Sequence, residues 1–474
     1  MAPRLPNKNL ILFQKAAQQV PAYADFLKRR HFKPSMVKNE VDWLKIPLTD
    51  KKSYLNQYQL RQLFWPKALA GCLVYTATSG STGLPSYFPR TSRLDWQYSL
   101  ILENFLKQSS RGPGPTLIII GFGMGVWIGG LITYQAFEMA ARRAKLPVSI
   151  ITPGINKEEI FKALAKLSPL YKQTVLVGYP PFVKNIVDEA LARGLNLKKH
   201  NLRFLLAAEA FTENFRDYLV KKAAVKNRFL DTLNIYGSAD LGAMAFETPL
   251  SILIRTFAAK DQNLFKEIFS GINKTPTLVQ YNPDFIHFES LDGNLVLTGD
   301  SALPLVRYAL GDHGGVIGFA DMLKLLKKHG LDIIKAAKKS GLAKTIKKFP
   351  FVYVYERADF SASLYGINIF PEYIKEALLG QPLLTGRFTM SAKFDSRQNQ
   401  YLEINVETRK KENLKKARLN KIEKTVIEKL RKVSSEFREL SNHMPGRRLV
   451  LLKSWPLEHP LYFRPGLKQK WIQK

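Results

Sequence analysis

Short apolar runs alternate with amphipathic stretches between residues 117 and 236, and this alternation constrains the fold more than any other feature. The runs are Leu117–Ile120, Val148–Ile151, Thr174–Val177, Phe204–Ala207 and Leu233–Tyr236. Between them Lys157–Ser168, Phe182–Arg193 and Asn214–Ala223 carry apolar residues at helical spacing. Strand, helix, strand in steady succession predicts a largely parallel sheet in an α/β fold. Residues 8–31 and 50–64 read as helices ahead of it. The segment 277–317 differs. Thr277–Tyr281, Phe285–Glu289, Leu295–Thr298 and Gly315–Phe319 suggest a small antiparallel β subdomain.

The pattern changes again after residue 357. Tyr365–Phe370, Arg387–Lys393 and Tyr401–Val406 read as strands, and Pro371–Leu379 and Lys411–Arg431 as helices. The expected organisation is a large N-terminal domain over 1–357 and a small α+β C-terminal domain over 358–474. The 474 residues allow roughly two to four domains of ~150 residues each.

Composition excludes several classes. With 46% hydrophobic residues the chain can build cores and is not of disordered type. A single cysteine, Cys72, rules out a disulfide framework and a Cys-rich zinc site. The first residues lack the apolar core of a signal peptide, and a cytoplasmic location is expected. Thr116–Phe137 is long enough to cross a bilayer and nearly free of charge. Five glycines between Gly121 and Gly130 interrupt it, so it reads as a buried strand, a loop and a helix. The formal net charge of +33 suits polyanionic partners. Its densest runs, Lys324–Lys348 and Arg409–Arg438, have helical spacing with an apolar face, which reads as solvated basic helices. The first run has no aromatic residue before Phe349, so nucleic acid is not an expected partner.

Residues 76–85 read Thr-Ala-Thr-Ser-Gly-Ser-Thr-Gly-Leu-Pro. Small hydroxyl residues and two glycines allow a tight bend whose N–H groups crowd around an anion. Leu73-Val74-Tyr75 looks like a strand entering this loop. No Gly-Lys-Ser/Thr follows, so it is not a Walker loop.

This loop resembles the ATP-phosphate loop of the adenylate-forming superfamily, and further blocks follow in that superfamily's order. Asn234-Ile235-Tyr236-Gly237-Ser238-Ala239-Asp240 resembles the Tyr-Gly-Ser/Thr-x-Glu block. Leu303-Pro304-Leu305-Val306-Arg307-Tyr308-Ala309-Leu310-Gly311-Asp312 resembles the Leu-Pro-Leu-Ile-Arg-Tyr-x-Thr-Gly-Asp block. Glu356-Arg357-Ala358-Asp359 with Tyr365-Gly366-Ile367-Asn368-Ile369-Phe370-Pro371 resembles the hinge and the strand after it. Val20-Pro21-Ala22-Tyr23, Ile46-Pro47-Leu48-Thr49-Asp50-Lys51 and Ala207-Ala208-Glu209 point to the phenylacetate–CoA ligase-like branch. Leu84 stands where Lys is usual, Asp240 where Glu is, and Leu310 where Thr is. Residues 321–350 form a basic helical insertion relative to the family. It reads as two short amphipathic helices broken near Gly330 and Gly341. Packing on the body is the preferred reading; a surface for anionic membrane is the functional one.

The resemblance implies ATP-dependent activation of a carboxylic acid as an acyl-adenylate, then transfer to a thiol, coenzyme A first. Transfer to an amine or carrier protein, or a non-catalytic basic binding protein on this scaffold, are the alternatives. It implies ATP, Mg²⁺ and coenzyme A as ligands. Thr78, Ser79, Gly80, Ser81, Thr82 and Gly83 would hold phosphates. Glu209, Tyr236, Gly237 and Ser238 would line the nucleotide, and Asp312 would accept the ribose hydroxyls. Arg357 would approach ribose or phosphate, Asp240 would bind Mg²⁺, and Asp359 would be the hinge. Lys468 is the catalytic lysine implied at the C-terminus, with Lys470 second. Trp127, Tyr179, Phe246 and the glycines of 121–130 suggest an apolar acyl pocket. The acid and the oligomeric state stay open.

Overall fold

The computed structural model describes residues 7–77, 87–124, 128–269, 276–355, 361–378 and 381–463. Among these, one sheet carries 11 strands. Its parallel part runs Thr232–Ser238, Leu202–Ala207, Gln173–Gly178, Thr116–Ile120, Val148–Ile151 in spatial order. All five expected strands are present. Side-chain alternation sorts their residues onto two faces. Leu117, Ile119, Leu176, Phe204 and Leu206 pack with Phe182, Ile186 and Phe215 of the helices on one face. Ile118, Ile120, Val175, Val177 and Leu205 pack with Leu102, Phe105, Ala136 and Phe137 on the other.

The antiparallel part continues the same sheet. Gly242–Phe246 pairs with Thr232–Ser238, and then meets Thr277–Gln280 through Phe246 opposite Gln280. Phe351–Tyr355, Leu305–Ile317, Asn294–Gly299 and Ile286–Leu291 follow in order. The run expected at Gly315–Phe319 is the end of the longer Leu305–Ile317 strand, and Phe319 instead opens a helix, Phe319–Lys328.

The helix expected over 8–31 is two, Asn7–Gln19 and Pro21–Arg29, because Pro21 can only start a helix and Val20 before it is extended. The helix expected over 50–64 is not formed. Only the short 3₁₀ turns Leu55–Gln57 and Leu60–Leu63 occur there. Asp50 Oδ1 captures the Ser53 N–H at 2.7 Å. Tyr54 then packs edge-on to Tyr23 and Phe26 at 6.0 and 5.3 Å, so tertiary contacts set this backbone.

The insertion forms two helices, Phe319–Lys328 and Ile333–Lys339. Met322, Leu326, Ile333, Ala337 and Leu342 are buried against Leu253, Ile254 and Phe269. Lys324, Lys327, Lys335 and Lys338 face solvent. No described helix is long and apolar enough to cross a membrane.

The C-terminal unit is a three-stranded sheet, Leu384–Phe394, Gln400–Thr408 and Val450–Trp455, with a small hairpin, Ala362–Leu364 and Ile367–Ile369. Pro371–Leu378, Lys416–Val433 and Ser435–His443 are its helices. Its core residues, such as Leu364, Phe388 and Ile404, join those of the large domain in one buried cluster.

Candidate active site

A cavity of about 1250 Å³ opens between the two domains. Phe122 and Gly123, Tyr179, Ala208–Thr212 and Ala239–Asp240 line it. Each group directly follows the C-terminal end of a sheet strand, the place where open α/β sheets bind ligands.

Of the residues singled out in the sequence, Glu209, Tyr236, Gly237, Ser238, Asp240 and Asp312 all line this cavity. Thr78–Gly83, Arg357, Asp359, Lys468 and Lys470 lie outside the described residues, as does Trp127. Ala77, Tyr355 and Ser361, which flank two of those segments, line the same cavity. Phe246 does not. It lines a separate cavity of about 150 Å³, because alternation on its strand turns it to the side of Leu100 and Phe285.

Two motif blocks are cross-linked here. The Tyr236 hydroxyl donates to Asp312 Oδ2 at 2.6 Å. The Tyr308 hydroxyl donates to Asp240 Oδ1 at 3.2 Å. A register shift between Tyr236 and Gly237 re-aims the chain just there. A Cβ on Gly237 would stand 2.4 Å from the Gly242 carbonyl oxygen, so only glycine permits this bulge. Asp312 is 7% exposed, lines the cavity and has its Oδ2 held by Tyr236. Tyr308 was not singled out in the sequence. Its place in the same motif block as Asp312 is the signal that could have found it.

Asp240 is 3% exposed, and its Oδ2 has no hydrogen-bond partner among the described residues. A buried carboxylate oxygen left without a donor fits a hard divalent cation such as Mg²⁺. No group of three or more acidic, His or Cys side chains gathers among the described residues.

The block Leu303–Asp312 also anchors the N-terminal segment. Arg307, with φ of 44°, sends Nη1 to the carbonyls of Leu44 and Ile46 at 2.6 and 2.7 Å, and pairs through Nε with Glu289. Thr49 and Tyr308 form a parallel bridge, with Thr49 N to Arg307 O at 3.1 Å and Ala309 N to Thr49 O at 2.8 Å. This seats Lys51 in the cavity wall.

One end of the cavity is apolar. Phe122, Ile132, Ile155, Tyr179 and Phe182 line it, with Phe122 and Tyr179 edge to face at 4.9 Å. Tyr98 bonds to Thr133 at 3.2 Å, and burial pushes its hydroxyl up to about 12. It therefore stays neutral and can donate.

Glu209 is placed between the domains. Its Oε1 accepts the Gly366 N–H, and its Oε2 accepts Gln400 Nε2 at 3.3 Å. Burial raises the Tyr179 hydroxyl well above its usual range, and the nearby Glu209 and Glu436 add to this.

No family model matches the chain. Phenylacetate–coenzyme A ligase of Aromatoleum evansii is 20% identical over 385 residues, covering 80% of this chain and 76% of that protein. A solved structure of 2-hydroxyisobutyryl-CoA ligase, with 2-HIB-AMP and CoA in the thioesterification state, superposes with a TM-score of 0.64 at 15% identity, over 98% of this chain and 88% of the other. The same protein in its post-adenylation state, at the same identity and coverage, gives 0.54. The chain is therefore closer in shape to the former.

Proposed function

We propose that this chain, which has the adenylate-forming fold and resembles phenylacetate–CoA ligase in sequence, uses ATP to activate a carboxylic acid as its acyl-adenylate. It then passes the acyl group to the thiol of coenzyme A. The observation carrying this reading is that one cavity gathers Tyr236–Asp240, Asp312 and Glu209 from separate sequence blocks, beside an apolar recess.

In the first step a carboxylate oxygen attacks the α-phosphorus of ATP. The bond to the β-phosphate oxygen breaks and pyrophosphate leaves. Positioning and charge neutralisation supply most of the rate in such chemistry. Asp312 accepts ribose hydroxyls with the capacity that Tyr236 leaves it, and the Tyr236 ring covers the adenine face. The Thr78–Gly83 loop cradles the β- and γ-phosphates, and Arg357 approaches ribose or phosphate. Lys468 reaches the α-phosphate and the carboxylate. Mg²⁺ at Asp240 would neutralise phosphate charge when bound. The recess lined by Phe122, Tyr179 and Phe182 takes the acyl group, aryl or aliphatic, and excludes water from the mixed anhydride. In the second step the thiolate sulfur attacks the acyl carbon, the bond to AMP breaks, and AMP leaves. The thiol proton passes to solvent.

The test is carboxylate-dependent ATP–pyrophosphate exchange over a panel of acids, with acyl-CoA formation measured alongside. Exchange with an apolar acid and CoA-dependent release of AMP is expected. Exchange without CoA-dependent turnover would move the acceptor to an amine or carrier-protein thiol. No exchange with any acid would refute the enzyme reading.

A further inference from the structure

Glu209 occupies an unusual place for a cavity-lining acid, since both partners that its carboxylate meets in the described hydrogen bonds belong to the small domain. On the large-domain side its position is stiff. Ala208 before it has φ of 76°, in the left-handed region that a non-glycine residue adopts only when its surroundings impose it. The main chain beyond is pinned by Arg255, whose Nη2 donates to the Phe211 carbonyl. Arg255 belongs to a buried charge cluster, pairing with Glu213 at 2.8 Å and Glu247 at 3.2 Å, while Arg216 pairs with Glu247 at 2.6 Å. Thr212 caps the helix Glu213–Lys222 by accepting Phe215 N at 3.2 Å.

The small-domain side is equally fixed. Gly366, at the turn of the hairpin, has φ of 81°, and a Cβ on it would stand 2.6 Å from the Tyr179 ring. Glycine is needed for both reasons, and its bare backbone lies against Tyr179 while its N–H enters Glu209. Gln400 ties this hairpin to the small sheet, accepting Tyr365 N with Oε1 and donating Nε2 to Ser363 O at 3.1 Å. The same Nε2 reaches Glu209.

Resting on the functional reading above, we propose that Glu209 is a positioning residue for acyl transfer: its carboxylate latches the small domain onto the large one in the arrangement seen here. Rotation of the small domain would remove both of these donors together. Charge-assisted bonds to a carboxylate are the strong kind, so their loss weighs on the arrangement as a whole. Other contacts cross the same boundary, among them Lys184 Nζ to Asn399 at 3.1 Å and the packing of Tyr179 against Gly366, and they add to the docking without engaging the Glu209 carboxylate.

The test uses the full chain with Cys72→Ser and spin labels at Lys199→Cys and Lys424→Cys, one exposed position in each domain. Distance distributions are recorded without substrates, so this arm does not depend on the proposed reaction. Glu209→Gln keeps shape but presents an amide donor to one of the two donors. The ratio of docked to undocked molecules should fall about tenfold. The double exchange Glu209→Gln with Gln400→Glu restores the polarity: Gln accepts Gly366 N–H and donates to Glu, which still accepts Tyr365 N. Docking should recover in large part, with Ser363 O losing its donor as the remaining cost. In activity, Glu209→Gln should slow acyl transfer from supplied acyl-AMP more than pyrophosphate exchange. An unchanged distance distribution in the single variant, no recovery in the double, or equal slowing of both half-reactions would overturn the latch. An unmutated chain with no exchange at all would overturn the functional reading while the distance arm still judges the contact.

Discussion

Replacing Tyr236 with Phe and Asp312 with Ala, singly and together, asks whether the hydroxyl acts on ligand or only on Asp312. The bond between them is 2.6 Å, partly buried and charge-assisted. Such a bond contributes about 1.5–3 kcal/mol net. If Asp312 accepts the ribose hydroxyls, Asp312→Ala should cost about 1–3 kcal/mol of ATP binding, a loss of roughly five- to 150-fold in Kd. Tyr236→Phe removes no acceptor from the ligand. It removes one bond that holds the Asp312 carboxylate, so a loss of about tenfold, in the lower part of that range, is expected. Once Asp312 is Ala, the Tyr236 hydroxyl has no carboxylate to hold, and removing it should add nothing. The coupling in the double-mutant cycle should then equal the whole effect of Tyr236→Phe. Calorimetric titration of the four proteins with ATP measures this, with thermal melts as a check on folding. Additive losses would show that Tyr236 acts on the nucleotide independently and would refute the positioning role. A melting loss as large as the binding loss in Asp312→Ala would mark Asp312 as structural.

Glu289 accepts Arg307 Nε at 3.1 Å and Trp43 Nε1 at 3.1 Å, all buried, so Glu289→Leu should destabilise by about 3–5 kcal/mol by stranding the guanidinium; a loss under about 1 kcal/mol in denaturant unfolding would refute this. His287 is held neutral, first by burial and then by Lys8 and Arg307, which lower it from 6.5 to about 4. In that window the unfolded chain takes up a proton that the folded chain refuses, so stability falls as pH drops from about 6.5 to about 4, by about 3 kcal/mol, and His287→Phe should flatten the dependence of the unfolding midpoint on pH. Ser79 and Thr82 replaced together by bulky apolar residues should abolish ATP binding, and unchanged affinity by calorimetry would remove the phosphate loop from the site. Lys468→Ala should slow acyl-adenylate formation far more than transfer from supplied acyl-AMP, whereas equal slowing would move the role to Lys470.

The parallel strands were legible because each is a compact apolar run with helical periodicity on either side, and burial on both faces leaves that pattern in the chain. The small-domain strands Arg387–Lys393 and Tyr401–Val406 were legible from the other strand signal, apolar residues alternating with polar ones at Phe388 and Met390 and at Leu402, Ile404 and Val406, and the structure lengthens them to Leu384–Phe394 and Gln400–Thr408. Val450–Trp455 was not read as a strand, since it is a parallel edge partner whose pattern mixes Lys453 and Ser454 with apolar residues. The failure over 50–64 is of another kind. Its apolar spacing suits a helix, but Tyr54 is claimed by Tyr23 and Phe26, and tertiary packing overrode the local preference.

The sequence alone carried the order of the motif blocks, the residue types suited to a polyanion and a hard cation, and the alternation that builds a parallel sheet. These are properties of neighbours along the chain, where composition and spacing record them. Only the tertiary structure decided that Asp240 meets Tyr308, that Arg307 of a motif block is spent holding Leu44 and Ile46, and that Glu209 faces Gly366 and Gln400. It also decided that the lysine-rich insertion buries one face against Leu253 and Phe269. Each of these joins residues far apart in sequence. The physical reason is that hydrogen bonds and burial depend on where the fold brings two segments together, and no local periodicity encodes that meeting.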